Sequence, residues 1–442
     1  MTLSRIEDRR LITGNGRYTA DWDLPGQLHG AMVRSDRAHA DIVSLDASAA
    51  RAAAGVHAII TAADLLAAGI KPFDWGVGYK GVNGTAMKRA PHTQLATTRV
   101  RFVGEPIVMV VADTPAQARD AAERVEIEYR DLPSVTTTDD AAAPGAPQLH
   151  ADIPGNLAFD YEEGDRAATD AAFANAKFVA KLDLTSQRLV SNPMEPRAVL
   201  AHWKPDGSLT VYTSTQGVTG MRGQLTACTG VPGDKIEVIA QDVGGSFGTR
   251  AMPFPEHCCA IAASRQLGRP VKWVGSRSEV FLSDWHGRAL RMKGELALAA
   301  DGTFLGIRFE DSGDLGGLPS AFGAFIASKN LTITMGGAYR MPAMYARVRC
   351  YYTNTTPVSA YRGAGRPDIA YAIERLVDQA AAESGIDRIE LRRKNLIAPN
   401  EMPYQTPVGT TYDCGEFAAI MDKALDAADW RGFGEFQIDV FD

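Results

Sequence analysis

Cysteine is scarce in this 442-residue sequence: Cys228, Cys258, Cys259, Cys350 and Cys414 are all there is. No two stand in a C-x-x-C spacing, which argues against an iron–sulfur cluster or a cysteine zinc site held by this chain alone. An odd count without a framework suits a reducing compartment, so a cytoplasmic location is expected. No run of roughly 18 apolar residues occurs, so no membrane span is expected. Residues 1–21 are charged and lack an apolar h-region, so no signal peptide is expected. The eight histidines show no H-x-x-x-H or H-x-x-E spacing, which disfavours zinc hydrolysis. Positive charge is also in deficit. With 46 Lys and Arg against 53 Asp and Glu, the net charge of −7 gives no sign of a broad nucleic-acid surface.

What is present reads as globular. Hydrophobic residues at 45% and charged residues at 22% exclude disorder or a coiled coil for the bulk. At roughly 150 residues per domain, the length allows about three domains. Residues 1–138 read as one mixed unit. Strands are predicted at 28–33, 40–45 and 56–61, with a short Ala-rich helix at 47–54. The clearest element is PIVMVVA, Pro106 to Ala112, a buried-strand type of run. Thr114 then caps a helix with Pro115 at its first position, running to about Arg124. With a strand at 125–129 this reads as a β-α-β unit. Residues 139–156, rich in Ala, Pro, Gly and Asp, read as a linker. In the larger region from 157 to 442, strands are expected at 209–214, 235–240 and 271–275. Helices are expected at 218–229, 255–267, 367–384 and 387–395. Cys258 and Cys259 then fall on a buried helix and read as core.

Four stretches could carry chemistry. QDVGGSFGTR (Gln241 to Arg250) follows a strand, and Gly244, Gly245 and Gly248 would let backbone N–H groups approach an anion. It is not a Walker A loop, because no G-K-[ST] occurs. Taken alone, it reads first as a tight turn. SAYRGAGRPD (Ser359 to Asp368) sets arginines and glycines before a helix N-terminus, where an anion would meet both donors and dipole; a solvated Arg-rich loop is the plain alternative. SNPMEPR (Ser191 to Arg197) carries Glu195 between two prolines, read as a carboxylate that clamps an arginine. TSTQG (Thr213 to Gly217) ends a strand and offers the Gln216 amide, one donor group and one acceptor.

These stretches occur in the order PMEPR, STQ, VGGSFG, AYRGAGRP, with RFVGEPIVMVVAD upstream. In that order the chain resembles the molybdenum hydroxylases, the xanthine dehydrogenase and aldehyde oxidase family, in its molybdopterin-binding large subunit. GRYTADWDL, GRPVKWV and DRIELRRKNL add to the likeness, which runs to about Trp430. The resemblance implies an α+β fold. A small α/β hammerhead domain would occupy 1–138 (core about 17–132), and the first molybdopterin-binding domain 157–442. It implies that Gln216, Gly245, Phe247, Gly248, Arg362 and Gly363 face the cofactor. Of these, Gln216, Phe247 and Arg362 would lie around the molybdenum without ligating it. Gln216 matches the glutamine that hydrogen-bonds the apical oxo group. The implied cofactor is molybdopterin, with the cytosine dinucleotide form as one option. Iron–sulfur [2Fe–2S] and FAD subunits would be partners that take the electrons. The implied reaction is oxidation of a C–H bond of an N-heteroaromatic or an aldehyde with water-derived oxygen.

The sequence also departs from the family. The general-base glutamate belongs to a second molybdopterin domain, so it is expected on another chain; a truncated, non-catalytic remnant or scaffold subunit is the alternative. Gly415–Glu416 imitates its motif, but Asp413 and Glu416 read as a capping pattern ahead of a helix from Phe417. Purine hydroxylases carry a glutamate where Ala251 follows Arg250, an aromatic where Ala364 stands, and an arginine near Asn330. Those three positions are read as substrate pocket, and xanthine is disfavoured. Carbon monoxide dehydrogenase carries a copper-binding cysteine where Gly363 stands, so CO oxidation is disfavoured too.

Overall fold

The computed structural model describes residues 5–432. The PIVMVVA run forms the strand Pro106–Ala112, and all seven residues are buried. Burial of that kind requires partners on both edges. Leu28–Arg34 and Val56–Ile60 supply them, both antiparallel. The free edge of Leu28–Arg34 then pairs parallel with Val271–Val274, Leu28 opposite Val271. Ala198–Trp203, Leu209–Thr213 and Ile236–Ile239 extend the sheet to seven strands. One sheet therefore joins the first 138 residues to the larger region. The helix Pro255–Leu267 packs against it, with every residue from Glu256 to Ser264 buried. A helix apolar on most of its faces has to be covered on most of them, and Cys258 and Cys259 sit in that core as expected.

A second sheet, of five strands, was absent from the sequence reading. Its order is Leu157–Gly164, Met344–Tyr351, Phe304–Asp314, Leu290–Leu298, Phe178–Ser186. The signal was there as alternation: LRMKGEL and MYARVRC place every second residue in the core. The long helix Arg366–Ser384 lies on this sheet and ends at Gly385 with φ 72°.

Four expectations need correction. The predicted β-α-β unit does not form within one sheet: Glu126–Asp131 pairs with Ala40–Asp46 in a separate three-stranded sheet. Its charged, mostly exposed residues suit an outer strand, whereas Pro106–Ala112 is fully covered. The segment 139–156 is no free linker. Leu149 and Ile153 are buried, and the Asn156 amide donates to Ala141 O and Pro147 O while Oδ1 accepts from Leu149 N. Finally, Glu416 does precede the helix Phe417–Ala427, but no capping box with Asp413 forms. The Ala-rich helix shrinks to Ser48–Arg51. Residues 433–442 of the expected first molybdopterin-binding domain lie outside the described residues.

Candidate cofactor site

Leu209–Thr213 and Ile236–Ile239 are parallel neighbours, so their following loops emerge side by side. The first loop carries Gln216; the second is the glycine-rich turn. Two of the bonds that stitch them share one acceptor: Thr215 Oγ1 and Gln216 N both donate to Arg250 O, at 2.9 and 3.3 Å. The third stretch arrives from the five-stranded side. Arg362 N donates to Phe247 O at 2.8 Å. Gly248, at φ +109°, lies so close to this loop that a Cβ would stand 2.8 Å from Ala360 O. Phe247 itself adopts φ 54°, unusual for a non-glycine residue, and its ring is partly exposed. The six expected cofactor residues thus fall on three loops that touch.

Glu195 is the clamp that its position between two prolines suggested. Its Oε2 accepts from Gly244 N at 2.8 Å and from Arg250 at 3.0 Å, and Oε1 accepts from Thr19 N. Arg250 also donates to Ser214 Oγ and to Glu195 O. Burial pushes the Arg250 guanidinium below its usual range, and the Glu195 carboxylate opposes that. Beside this pair lies a second buried network in which Arg34 and Arg197 bind Glu256, and Arg197 also binds Asp284. Burial alone would raise the Glu256 carboxyl, but Arg197 and Arg34 outweigh it and hold it at about 2. Arg34 comes from the first region and Glu256 from the second, so the network ties the two beneath the site.

The outer loop is held differently. Arg288 donates to Arg362 O at 2.8 Å and to Asp368, and Asn330 Nδ2 donates to Ala364 O at 2.5 Å. Asn330 is buried, so its amide is spent on positioning Ala364 rather than lining an open pocket. Ala251 is half-buried next to Arg250. Sequence reading also missed Asp242, which accepts from Arg10 and from Arg17 N and so ties the N-terminal segment to the turn. Only separation in sequence hid it. Ser246, the one hydroxyl among three glycines, was overlooked as well. The letters Gly244 to Gly248 also satisfy G-x-S-x-G, the nucleophile-elbow spacing. The required context is missing, since no helix follows and no histidine among the described residues bonds Ser246. Both Cys258 and Cys259 thiols are pushed well above their usual range, Cys258 by its contact with Cys228 and by burial, Cys259 by burial. Such thiols are inert.

The chemistry left open at these loops is that of donors. Among the described residues, the backbone N–H groups of Gly245, Phe247, Gly248 and Gly363 make no hydrogen bond to protein. The exposed Arg362 guanidinium makes none either. Donors on a close glycine cradle fit a group rich in oxo and phosphate oxygens. No group of three or more His, Cys, Asp or Glu among the described residues is placed to hold a metal ion directly.

Comparison with known proteins agrees with that geometry. Residues 149–396 match the molybdopterin cofactor-binding domain, and residues 13–133 match the aldehyde oxidase and xanthine dehydrogenase a/b hammerhead domain. The carbon monoxide dehydrogenase large chain of Hydrogenophaga pseudoflava is 36% identical over 96% of this chain and 54% of its own length. Quinoline 2-oxidoreductase from Pseudomonas putida 86 superposes with a TM-score of 0.93 at 32% identity, over 99% of this chain and 55% of that one. The nicotinate dehydrogenase large molybdopterin subunit of Eubacterium barkeri is 28% identical over 88% of this chain and 87% of its own length. The chain thus spans about half the length of the first two relatives and most of the third. With both family regions matched and three donor-rich loops meeting where the motifs lie, the chain belongs to the molybdenum hydroxylase family as a molybdopterin-binding large-subunit chain.

Proposed function

We propose that this chain cradles a molybdopterin cofactor in an enzyme that oxidises a C–H bond of an N-heteroaromatic or aldehyde substrate. The observation that carries the reading is the meeting of the Gln216, Gly245–Gly248 and Arg362–Gly363 loops with their donors unspent. When bound, the cofactor supplies the two-electron oxidation and the water-derived oxygen. The chain's own residues bind and orient it. Gly245, Phe247, Gly248 and Gly363 offer N–H donors, Arg362 a fixed positive charge, and Gln216 an amide. Glu195 and Arg250 keep the turn in shape from below.

The general base is proposed to come from the family's second molybdopterin domain. Iron–sulfur and flavin subunits are proposed as electron carriers, and the cytosine dinucleotide form as the cofactor. Carbon monoxide is a poor substrate for this site. Gly363 stands where a copper-binding cysteine is expected, and a Cβ there would lie 2.4 Å from Pro367 Cγ. Ala251 and Ala364 stand where purine hydroxylases carry a glutamate and an aromatic, so the substrate side lacks both groups.

The test is to purify the chain with its natural partners and measure molybdenum and pterin. Dye reduction is then followed with pyridine and quinoline derivatives, aldehydes, xanthine and CO. Near-stoichiometric molybdenum with turnover of a heteroaromatic or aldehyde is expected. An intact complex free of molybdenum would sink the proposal and leave a scaffold.

A further inference from the structure

The structure assigns to Ser246 the role of a positioning residue that fixes which end of the Gln216 amide faces the cofactor. This rests on the reading that Gln216 lies beside the bound group. The Ser246 side chain is largely buried, and its hydroxyl has one proton to give. It accepts from Arg250 N at 3.0 Å, and it donates to Gln216 Oε1 at 2.7 Å. Were the amide turned over, the hydroxyl would face two N–H donors, and its own proton would have no acceptor among the described residues. The hydroxyl therefore selects one orientation: Oε1 inward, and the Nε2 donors outward on the open side of the loops. Those donors make no hydrogen bond to another described residue.

Ser246 is itself held. Its carbonyl accepts from both Thr249 N (3.1 Å) and Thr249 Oγ1 (2.8 Å), and its neighbours Gly245 and Phe247 sit at φ +104° and 54°. Gln216 is exposed and has no other side-chain bond among the described residues, so without the hydroxyl its long side chain would be free to rotate. A site that must offer N–H to an oxo group would then offer a carbonyl part of the time, or nothing. Loss of a preorganised donor costs about 10²–10³-fold in turnover. A donor left in place but unlocked should cost less, on the order of 10-fold, because only its orientational freedom is regained.

Ser246→Ala, Ser246→Thr and Gln216→Leu are prepared in the cofactor-loaded protein with whatever partners copurify. Molybdenum content, kcat and KM, and the g values of the Mo(V) EPR signal after partial reduction are measured for each. Ser246→Ala is expected to lower kcat on the order of 10-fold with KM little changed. It should also move the g values in the same direction as Gln216→Leu, and Ser246→Thr should restore both. If Gln216→Leu moves the signal and Ser246→Ala does not, the positioning role is wrong, while Gln216 keeps its place near the metal. If neither moves it, the placement of Gln216 is wrong and the inference falls with it. If Ser246→Ala fails to load molybdenum, Ser246→Thr decides: restored loading and signal support the hydroxyl's role, and equal failure overturns it.

Discussion

Removing the Glu195 carboxylate should loosen the cofactor cradle from below. Its partner Arg250 has a side chain only 2% exposed, and Glu195 itself is 7% exposed. At 3.0 Å and an effective dielectric of about 20, their gross attraction is about 5 kcal/mol. Desolvation of both ions offsets most of that gain in the intact pair. Breaking the pair is another matter. Glu195→Ala leaves a buried guanidinium whose Nε already lacks a partner, and it strips the acceptor from Gly244 N. A loss of about 3–5 kcal/mol is expected, with Arg250→Met costing a similar amount. The double variant should cost less than the sum, by roughly 2–3 kcal/mol, because neither charge is then left alone. Urea unfolding measures each value, and amide exchange across 213–217 and 244–250 locates the damage. Asp8→Ala, which breaks the exposed Arg5–Asp8 pair, is the control with no measurable effect expected. Single losses below about 1 kcal/mol, or strict additivity within about 0.5 kcal/mol, would refute the clamp.

Further predictions concern the turn and the buried carboxyls. Gly248→Ala, at φ +109° and against Ala360 O, should cost about 2–4 kcal/mol and lower molybdenum content, whereas Gly223→Ala, in a helix with open space around it, should stabilise by about 0.5–1 kcal/mol; thermal melts and metal analysis compare them. The Glu256 carboxyl sits at about 2, below its ordinary 4.5, so its contribution is present above pH 4.5 and is lost as pH falls towards 2. Glu256→Gln should therefore flatten the acid limb of the stability profile; an unchanged acid limb in urea titrations would count against the network. Burial lifts the Glu105 carboxyl to about 7, against the pull of Arg101. That contribution is full below pH 4.5 and is lost as pH rises through 7, so Glu105→Gln should gain on the wild type between pH 5 and 8. Equal melting temperatures across that range would contradict it.

Much of the site was legible because local chemistry carries it. Gly-rich turns, a proline-flanked carboxylate and a strand-ending glutamine are short-range statements, and their order along the chain pointed to the family. Helix ends were legible for the same reason: Thr114, Gly385 and Asp387 act within a few residues of themselves. The five-stranded sheet was not: the alternation of its strands marks each as a strand, but only long-range pairing makes them one surface.

The sequence by itself pointed to the family, to the elements that flank Gln216 and the glycine-rich turn, and to Glu195 as a clamp, since each depends on residue type and near neighbours. Only the tertiary structure decided which groups remain free to act. It spent Asn330 on Ala364, made the supposed linker part of the core, and ran one sheet through the domain boundary. It also brought the Ser246 hydroxyl within 2.7 Å of Gln216 Oε1. Hydrogen-bond capacity is written in the residue type, but which capacity is left unspent is a property of the packed chain.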